Sequence, residues 1–377
     1  MMKYVLAIDS FKGSLTSAEA EDAAAEAIRE YHPDAEIVSI PVSDGGDGML
    51  DAFLSAVGGE RVAVQVHNPL MHLIEAHYGI SSDGGTAIIE MAQASGLSLI
   101  ACRDRNPMLA TTVGTGEMIA DAMSRGCRRF IVGLGGSATC DGGTGMLQAL
   151  GYHFLSSEGE MMETGARILQ DIVDIDDSDV NPLLKDCLFL IASDVISPLY
   201  GEHGAAYVFG PQKGADPSMV EQLDRGLRHF SDVVKAKYGH DVTFIEGAGA
   251  AGGVGAALMM FTEARMFSGG DMLLDLLSYE NRIADADVVI TGEGRADTQT
   301  LSGKMPYRLL QRSRPVPVVL IAGRVEDRDA LLRCGFRNVA QTTPEGMPLS
   351  VAMIPSVARR NIRRAVISMQ LDYRSGI

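Results

Sequence analysis

Five short apolar runs in this chain each end in an acid, in glycines, or in both, and helical stretches alternate with them. No other feature restricts the possible folds as much. YVLAID (4–9) reads as a buried strand, and the T-S-A-E of Thr16–Glu19 then spells a capping box for a helix continuing through AEDAAAEAIREY. The strand EIVSIPV, the loop SDGGDG and the helix MLDAFLSAV follow, so the start of the chain reads β-α-β-α.

Residues 61–92 are different. RVAVQVHN, IEAHYGIS and TAIIEMA are closely spaced strand candidates with little room for helices, which predicts antiparallel or mixed pairing and a domain change near residue 65. RFIVGLG, LFLIASD, DVVITGE and PVVLIAG are further short buried strands. Helices are expected over 115–125, 142–151, 217–237, 253–266, 303–313 and 355–371. A chain of 377 residues with this alternation predicts an α/β fold of two domains. With 46% hydrophobic residues, 6% aromatics and no Trp, its interior should be aliphatic.

A net charge of -17 argues against nucleic acid and anionic membrane surfaces as partners. The one basic cluster, Arg359, Arg360, Arg363 and Arg364, reads as a solvated helix face. Five scattered cysteines without a C-x-x-C make neither a disulfide framework nor a zinc finger. The apolar start is too short for a signal peptide, and no run approaches the roughly 20 residues of a membrane span. A reducing cytoplasm is the expected compartment. A homo-oligomer is left open.

In open α/β sheets, ligands bind beyond the carboxyl ends of the strands. YVLAI leads to Asp9, Ser10, Lys12 and Ser14; IVSIPV to Ser43, Asp44, Gly45, Gly46, Asp47 and Gly48. FIVGL leads to GGSATCDGGTG (135–145), LFLIAS to Asp194, and DVVITG to Glu293, Arg295 and Asp297. Glycine amides can cradle phosphate oxygens, and nearby carboxylates can hold Mg²⁺. Together they point to phosphoryl transfer. Lysine is scarce, yet three of seven lysines stand in glycine-containing loops: Lys12 in SFKGS, Lys213 in GPQKGA and Lys304 in LSGKMP. A compact point charge suits a phosphate there.

Several familiar patterns are missing. SGKMP lacks the upstream glycine and the Ser/Thr of a Walker-A loop, and there is no G-x-S-x-G or H-E-x-x-H. GAGAAGGVGAAL does contain G-x-G-x-x-G at Gly247, Gly249 and Gly252, after an expected strand DVTFIE. That is the context of a dinucleotide fingerprint, so an NAD-dependent oxidoreductase is one alternative. Its ribose-binding acid should follow about 20 residues later at a strand end. Glu263 falls in the expected helix, and Asp271 opens another helical stretch. A non-catalytic module for phosphorylated ligands is a second alternative, which leaves the acids and loop lysines unexplained.

Taken together, these loops resemble the bacterial glycerate kinase family. The likeness runs through DSFKGSLTSAEA, PVSDGGDG, IIEMAQASGL, TTVGTGE, GLGGSATCDGGTGM, GPQKGA, GAGAAGGVGAALM and VVITGEGRADTQTLSGK, in one order along most of the chain. The resemblance implies an ATP- and Mg²⁺-dependent kinase acting on D-glycerate, with 2-phosphoglycerate favoured over 3-phosphoglycerate as the product. It also implies a flavodoxin- or Rossmann-like domain from both chain ends (1–66 plus 285–377), a mixed α/β domain (67–284), and an active site in the cleft between them. Cys140 in SATCDGG and Ser197 in DVISPL stand where family members tend to carry Asn, which bears on substrate preference rather than on reaction class.

Within that reaction, residue types suggest roles. Lys12 could neutralise the transferring phosphoryl group, with Lys304 as a second candidate. Asp194 could serve as general base for the glycerate hydroxyl, or equally as a Mg²⁺ ligand or loop-structuring Asp. Asp9, Glu293 and Asp297 are candidates for Mg²⁺ or hydroxyl contacts, with Glu293 and Asp297 favoured for the metal and Asp9, Ser10 and Ser14 for substrate. Arg295 could grip the glycerate carboxylate, or act as a structural ion-pair partner. Gly135, Gly136, Ser137, Gly142 and Gly143, Lys213, and Gly247, Gly249, Gly252 and Gly253 are candidates for nucleotide or phosphate contacts. Which loop serves ATP and which serves glycerate stays open.

Overall fold

The computed structural model describes residues 1–43, 46 and 48–369. Asp44, Gly45 and Asp47 of the SDGGDG loop, and the last residues of the expected 355–371 helix, lie outside the described residues. The chain forms two compact units, Met1–Ala56 with Gly270–Ile377, and Val57–Gly269.

The strands in chain order are β1 (Lys3–Ile8), β2 (Glu36–Ser39), β3 (Gly59–His67), β4 (Leu73–Ser81), β5 (Thr86–Glu90), β6 (Arg129–Gly133), β7 (His153–Leu155), β8 (Asp174–Asp176), β9 (Leu188–Ala192), β10 (Arg265–Phe267), β11 (Val288–Ala296), β12 (Val318–Val325) and β13 (Asn338–Gln341).

The first unit holds a five-stranded sheet in the order β13-β12-β11-β1-β2, parallel throughout. Counted within the unit this is the flavodoxin-like order 2-1-3-4-5, whose switch point lies between the first and third strands, here β1 and β11. Tyr4, Leu6 and Ile8 of β1, Val288 and Ile290 of β11, and Val319 and Ile321 of β12 are buried under alanine-rich helix Ser17–Tyr31 and helix Pro355–Ser368. The small Ala20, Ala23, Ala24 and Ala27 let the first of these helices lie close to the sheet. Its capping box is present: Thr16 Oγ1 accepts the Glu19 N–H, and Glu19 returns to the Thr16 N–H. The arginine cluster staples the two helices together, Arg359 to Glu26 and Arg363 to Glu26 and Glu30.

The second unit carries a six-stranded mixed sheet, β10-β9-β6-β5-β4-β3. β3, β4 and β5 are antiparallel neighbours, whereas β5, β6, β9 and β10 run parallel. A small antiparallel pair, β7 and β8, not expected from the sequence, belongs to the same unit.

The unit boundaries fall earlier than the expected 66/67 and 284/285. β3 belongs wholly to the mixed sheet through its pairing with β4. At the far boundary, Asp271, Asp275 and Glu280 bond Arg308 and Arg312, and Tyr279 shares a hydrogen bond with Ser313. Those contacts fix residues from 270 onward in the first unit.

DVTFIE is not a strand. Residues 241–246 form turns, with Phe244 76% exposed, and the place beside β9 is taken by β10. The helix that follows is shorter than expected, Val254–Thr262, and ends at Glu263 in a left-handed conformation.

Candidate active site

A cavity of about 890 Å³ opens in the first unit at the carboxyl ends of β1, β11, β12 and β13. Asp9, Ser10, Lys12 and Ser14 line it from β1, Glu293 and Arg295 from β11, Arg324 and Glu326 from β12, and Thr342 and Thr343 from β13; Lys304 joins them. The cavity therefore occupies the switch point where an open α/β sheet offers a crevice. Five expected residues, Asp9, Ser10, Lys12, Ser14 and Lys304, are brought together here, with Glu293 and Arg295 beside them.

Asp9 is nearly buried and accepts the Ser10 N–H at 2.7 Å. The Ser10 and Ser14 hydroxyl oxygens are buried with no partner among the described residues. A buried hydroxyl left so costs about 1–3 kcal/mol, and a ligand oxygen would recover it. Glu293 is also nearly buried; Thr300 Oγ1 donates to it at 2.6 Å and Lys304 Nζ at 3.2 Å. Burial pushes the Glu293 carboxyl up from its ordinary range, against the pull of Thr300 and Lys304.

Two expected roles fare differently. Asp297 does not line the cavity: its carboxylate accepts the Gln299 N–H at 2.8 Å and pairs with Arg295 at 3.3 Å. It is a turn-forming acid, set apart from the residues that line the cavity. Arg295 lies largely exposed between Asp297 and Glu326, the latter at 2.8 Å, and so already has the ion-pair role that stood as its alternative.

Arg324, Thr342 and Thr343 were missed. Arg324 directly follows the run PVVLIAG, so its place at a strand end was the signal that could have found it. β13, by contrast, is only four residues long, NVAQ, and gives too weak a periodicity to be recognised.

In the second unit the glycine segments serve mostly as frame. Asp141 is fully buried and accepts from the Thr112 N–H at 2.8 Å, Thr112 Oγ1 at 2.7 Å, and the Gly143 and Gly145 amides. Burial pushes its carboxyl up, and those same four donors draw it back down. The Gly142 amide donates to Gly252, Gly249 to Ser197, Gly252 to Gly249 and Gly253 to Ala250. These amides are spent inside the fold, which corrects the expectation that Gly142, Gly143, Gly249, Gly252 and Gly253 present them to phosphate. Gly252 has φ +70°, and a Cβ there would come within 2.0 Å of the Thr139 carbonyl. Gly247 packs against Met266, where a Cβ would overlap the sulfur. Cys140 and Ser197, the two departures from the family pattern, both border this packing.

Gly135, Gly136 and Ser137 behave otherwise. They form the turn after β6 and line a second, smaller cavity of about 240 Å³ with Lys213. Among the described residues, no group accepts from their three amides. Lys213 is 2% exposed; its ammonium donates to Ser137 Oγ at 2.8 Å and the Thr139 carbonyl at 2.6 Å. Burial draws its pKa down from the ordinary lysine range. Asp194 follows β9 and is exposed on the same unit.

A flavodoxin-like sheet with acids, lysines and open hydroxyls at its switch point defines an α/β enzyme built for small anionic substrates. The dinucleotide reading loses its support, because residues 241–246 before Gly247 form no strand and the Gly249 and Gly252 amides are engaged. The chain belongs to the glycerate kinase family, whose model matches residues 4–371. It is 45% identical over 328 residues to the glycerate 2-kinase of Escherichia coli, covering 86% of each chain, and 41% identical to the glycerate kinase of Halalkalibacterium halodurans, covering 98% of each. A crystal structure assigned as glycerate kinase 2 from Salmonella typhimurium superposes with a TM-score of 0.85 at 40% identity, covering 100% of this chain and 99% of that one. The family fixes the reaction as ATP-dependent phosphoryl transfer to glycerate.

Proposed function

We propose that this enzyme phosphorylates D-glycerate at the 2-hydroxyl, and that the cavity of the first unit receives glycerate together with the transferable phosphoryl group. The observation that carries this reading is the meeting of Lys12, Lys304, Asp9, Glu293 and two unpartnered serine hydroxyls at the switch point. At about 890 Å³ the cavity has more room than glycerate alone fills. The 2-position follows the name of the Escherichia coli relative.

Phosphoryl transfer asks a protein mainly for positioning and for neutralisation of charge. Lys12 neutralises the transferring group, and Lys304 shifts between Glu293 and phosphate oxygens. Ser10 and Ser14 donate to glycerate oxygens. Mg²⁺ characteristically takes one or two protein carboxylates and completes its shell with phosphate oxygens and water. Asp9 and Glu293 supply hard oxygens of that kind on one cavity, so the donor set fits. When bound, Mg²⁺ would neutralise charge on the phosphates. In the second unit, the free amides of Gly135, Gly136 and Ser137 with the Lys213 ammonium suit nucleotide phosphate oxygens. Asp194 remains our assignment for the general base, from its place at a strand end.

Phosphorus NMR of the product from ATP and D-glycerate tests the reading directly. The expected species is 2-phosphoglycerate; 3-phosphoglycerate would overturn the regiochemistry. Asp194→Asn should lower kcat by about 10²–10⁴, and a loss under about tenfold would remove Asp194 as base.

A further inference from the structure

β1 outruns its neighbour on one side. Its register with β2 pairs Lys3–Leu6 with Glu36–Ser39, and the Ile40 N–H still reaches the Leu6 carbonyl. There the pairing stops. On the other side β1 stays paired with β11 through Ile8, and the Asp9 N–H bonds Gly292. Backbone groups alternate sides along a strand. Ile8, two residues beyond Leu6, therefore turns its N–H and C=O toward a strand that has left.

Two side chains one helical turn apart close that gap. Ser17 Oγ donates to the Ile8 carbonyl at 2.6 Å and accepts the Val42 N–H at 3.2 Å. Glu21 Oε1 accepts the Ile8 N–H at 3.2 Å. They stand at i and i+4 and so share a helix face. Together they extend the sheet by one residue, and the next two residues, Asp9 and Ser10, line the cavity.

Glu21 is an expensive choice for this task. It is 1% exposed, among the buried alanines 20, 23 and 24. Among the described residues, its other oxygen, Oε2, has no hydrogen-bond partner. Burial pushes the carboxyl up to about 8, against the pull of the Ile8 N–H and, more weakly, of the Ser17 and Ser39 hydroxyls. One hydrogen bond nets about 1 kcal/mol, less than the usual cost of burying a polar group with half its capacity unmet.

We propose that Glu21, assisted by Ser17, is a positioning residue for phosphoryl transfer: it holds the Ile8 peptide so that Asp9 and Ser10 are presented to the cavity. The inference rests on the reading of that cavity as the reaction site. Full-length Glu21→Ala, Glu21→Gln, Ser17→Ala and Lys12→Ala variants test it, each measured for kcat, KM and unfolding midpoint. Glu21→Ala should lose at least about tenfold in kcat/KM for glycerate while folded at the assay temperature, and Glu21→Gln, which keeps an acceptor for Ile8, should stay within about threefold of wild type. A folded Glu21→Ala enzyme within about twofold of wild type overturns the proposal, whatever its midpoint, as do equal losses in the Ala and Gln variants. If Glu21→Ala does not fold, Ser17→Ala decides, with a loss above about threefold expected and a smaller one overturning it. Lys12→Ala separates the two ideas. If it is fully active the cavity reading itself fails; if it is crippled while Glu21→Ala is normal, only the role of Glu21 fails.

Discussion

Asp141 and Glu293 are both buried carboxylates close to the end of a parallel strand, one in each unit. Asp141 takes its hydrogen bonds from backbone amides and from Thr112, behind a wall of glycines. Glu293 takes its own from a threonine hydroxyl and a lysine, at the edge of an open cavity. An acid satisfied by amides can exchange nothing without local unfolding. An acid satisfied by side chains can trade partners for a ligand. The comparison teaches that the same residues, Gly, Asp and Lys, make frame in one place and chemistry in another, according to what answers their polar atoms.

The largest expected effect would break that comparison from the frame side. Gly252→Ala needs a Cβ within 2.0 Å of a carbonyl at φ +70°, so the variant should yield little folded protein by circular dichroism. A well-folded Gly252→Ala enzyme would show that the segment is looser than described. On the chemistry side, Lys12→Ala should lower kcat by about 10²–10³ with little change in unfolding midpoint, since this exposed side chain supports no core. An equal loss of stability would make Lys12 frame as well.

A smaller effect is expected in the pH dependence of stability. The Glu21 carboxyl, raised by burial to about 8 in the folded state, binds its proton more tightly there than in the unfolded chain. Its contribution is complete at low pH and declines as pH rises through about 8, with a slope of at most about 1.4 kcal/mol per pH unit. Denaturant titrations should therefore show wild type losing more stability than Glu21→Gln between pH 5 and 8; parallel curves would refute this. The smallest effect belongs to the surface. Arg359→Ala with Arg363→Ala removes half-exposed ion pairs between two helices and should cost less than about 1 kcal/mol, in contrast to any variant of the buried Asp141 network.

Much of this was visible in the sequence because strands and caps are local. YVLAI, RFIVG, LFLIA and PVVLIAG fold as read, and Thr16 and Glu19 cap as read, since hydrophobic period and cap chemistry need no distant partner. The cavity could be anticipated because strand ends in a parallel sheet converge on one side. DVTFIE misled because its alternation suits a strand, yet a strand needs a neighbour with an open edge, and β10 holds that place. The burial of Lys213 was not legible for a related reason. GPQKGA has the composition of an exposed loop, but its ammonium turns inward to Ser137 and Thr139, far away in sequence. Whether a glycine amide faces a ligand or another carbonyl is likewise decided by residues more than a hundred positions distant, as with Gly142 and Gly252.

β1, the second strand of the first sheet counting from its β2 edge, leaves the ribosome long before its partner β11, which begins only at Val288. At about 5–20 residues per second, roughly 15–60 s separate the two. The mixed sheet of residues 57–269 lies entirely within that interval and can close first. Until β11 arrives, YVLAI has an open edge, so nascent chains halted before Val288 should depend most on chaperones that shield apolar strands.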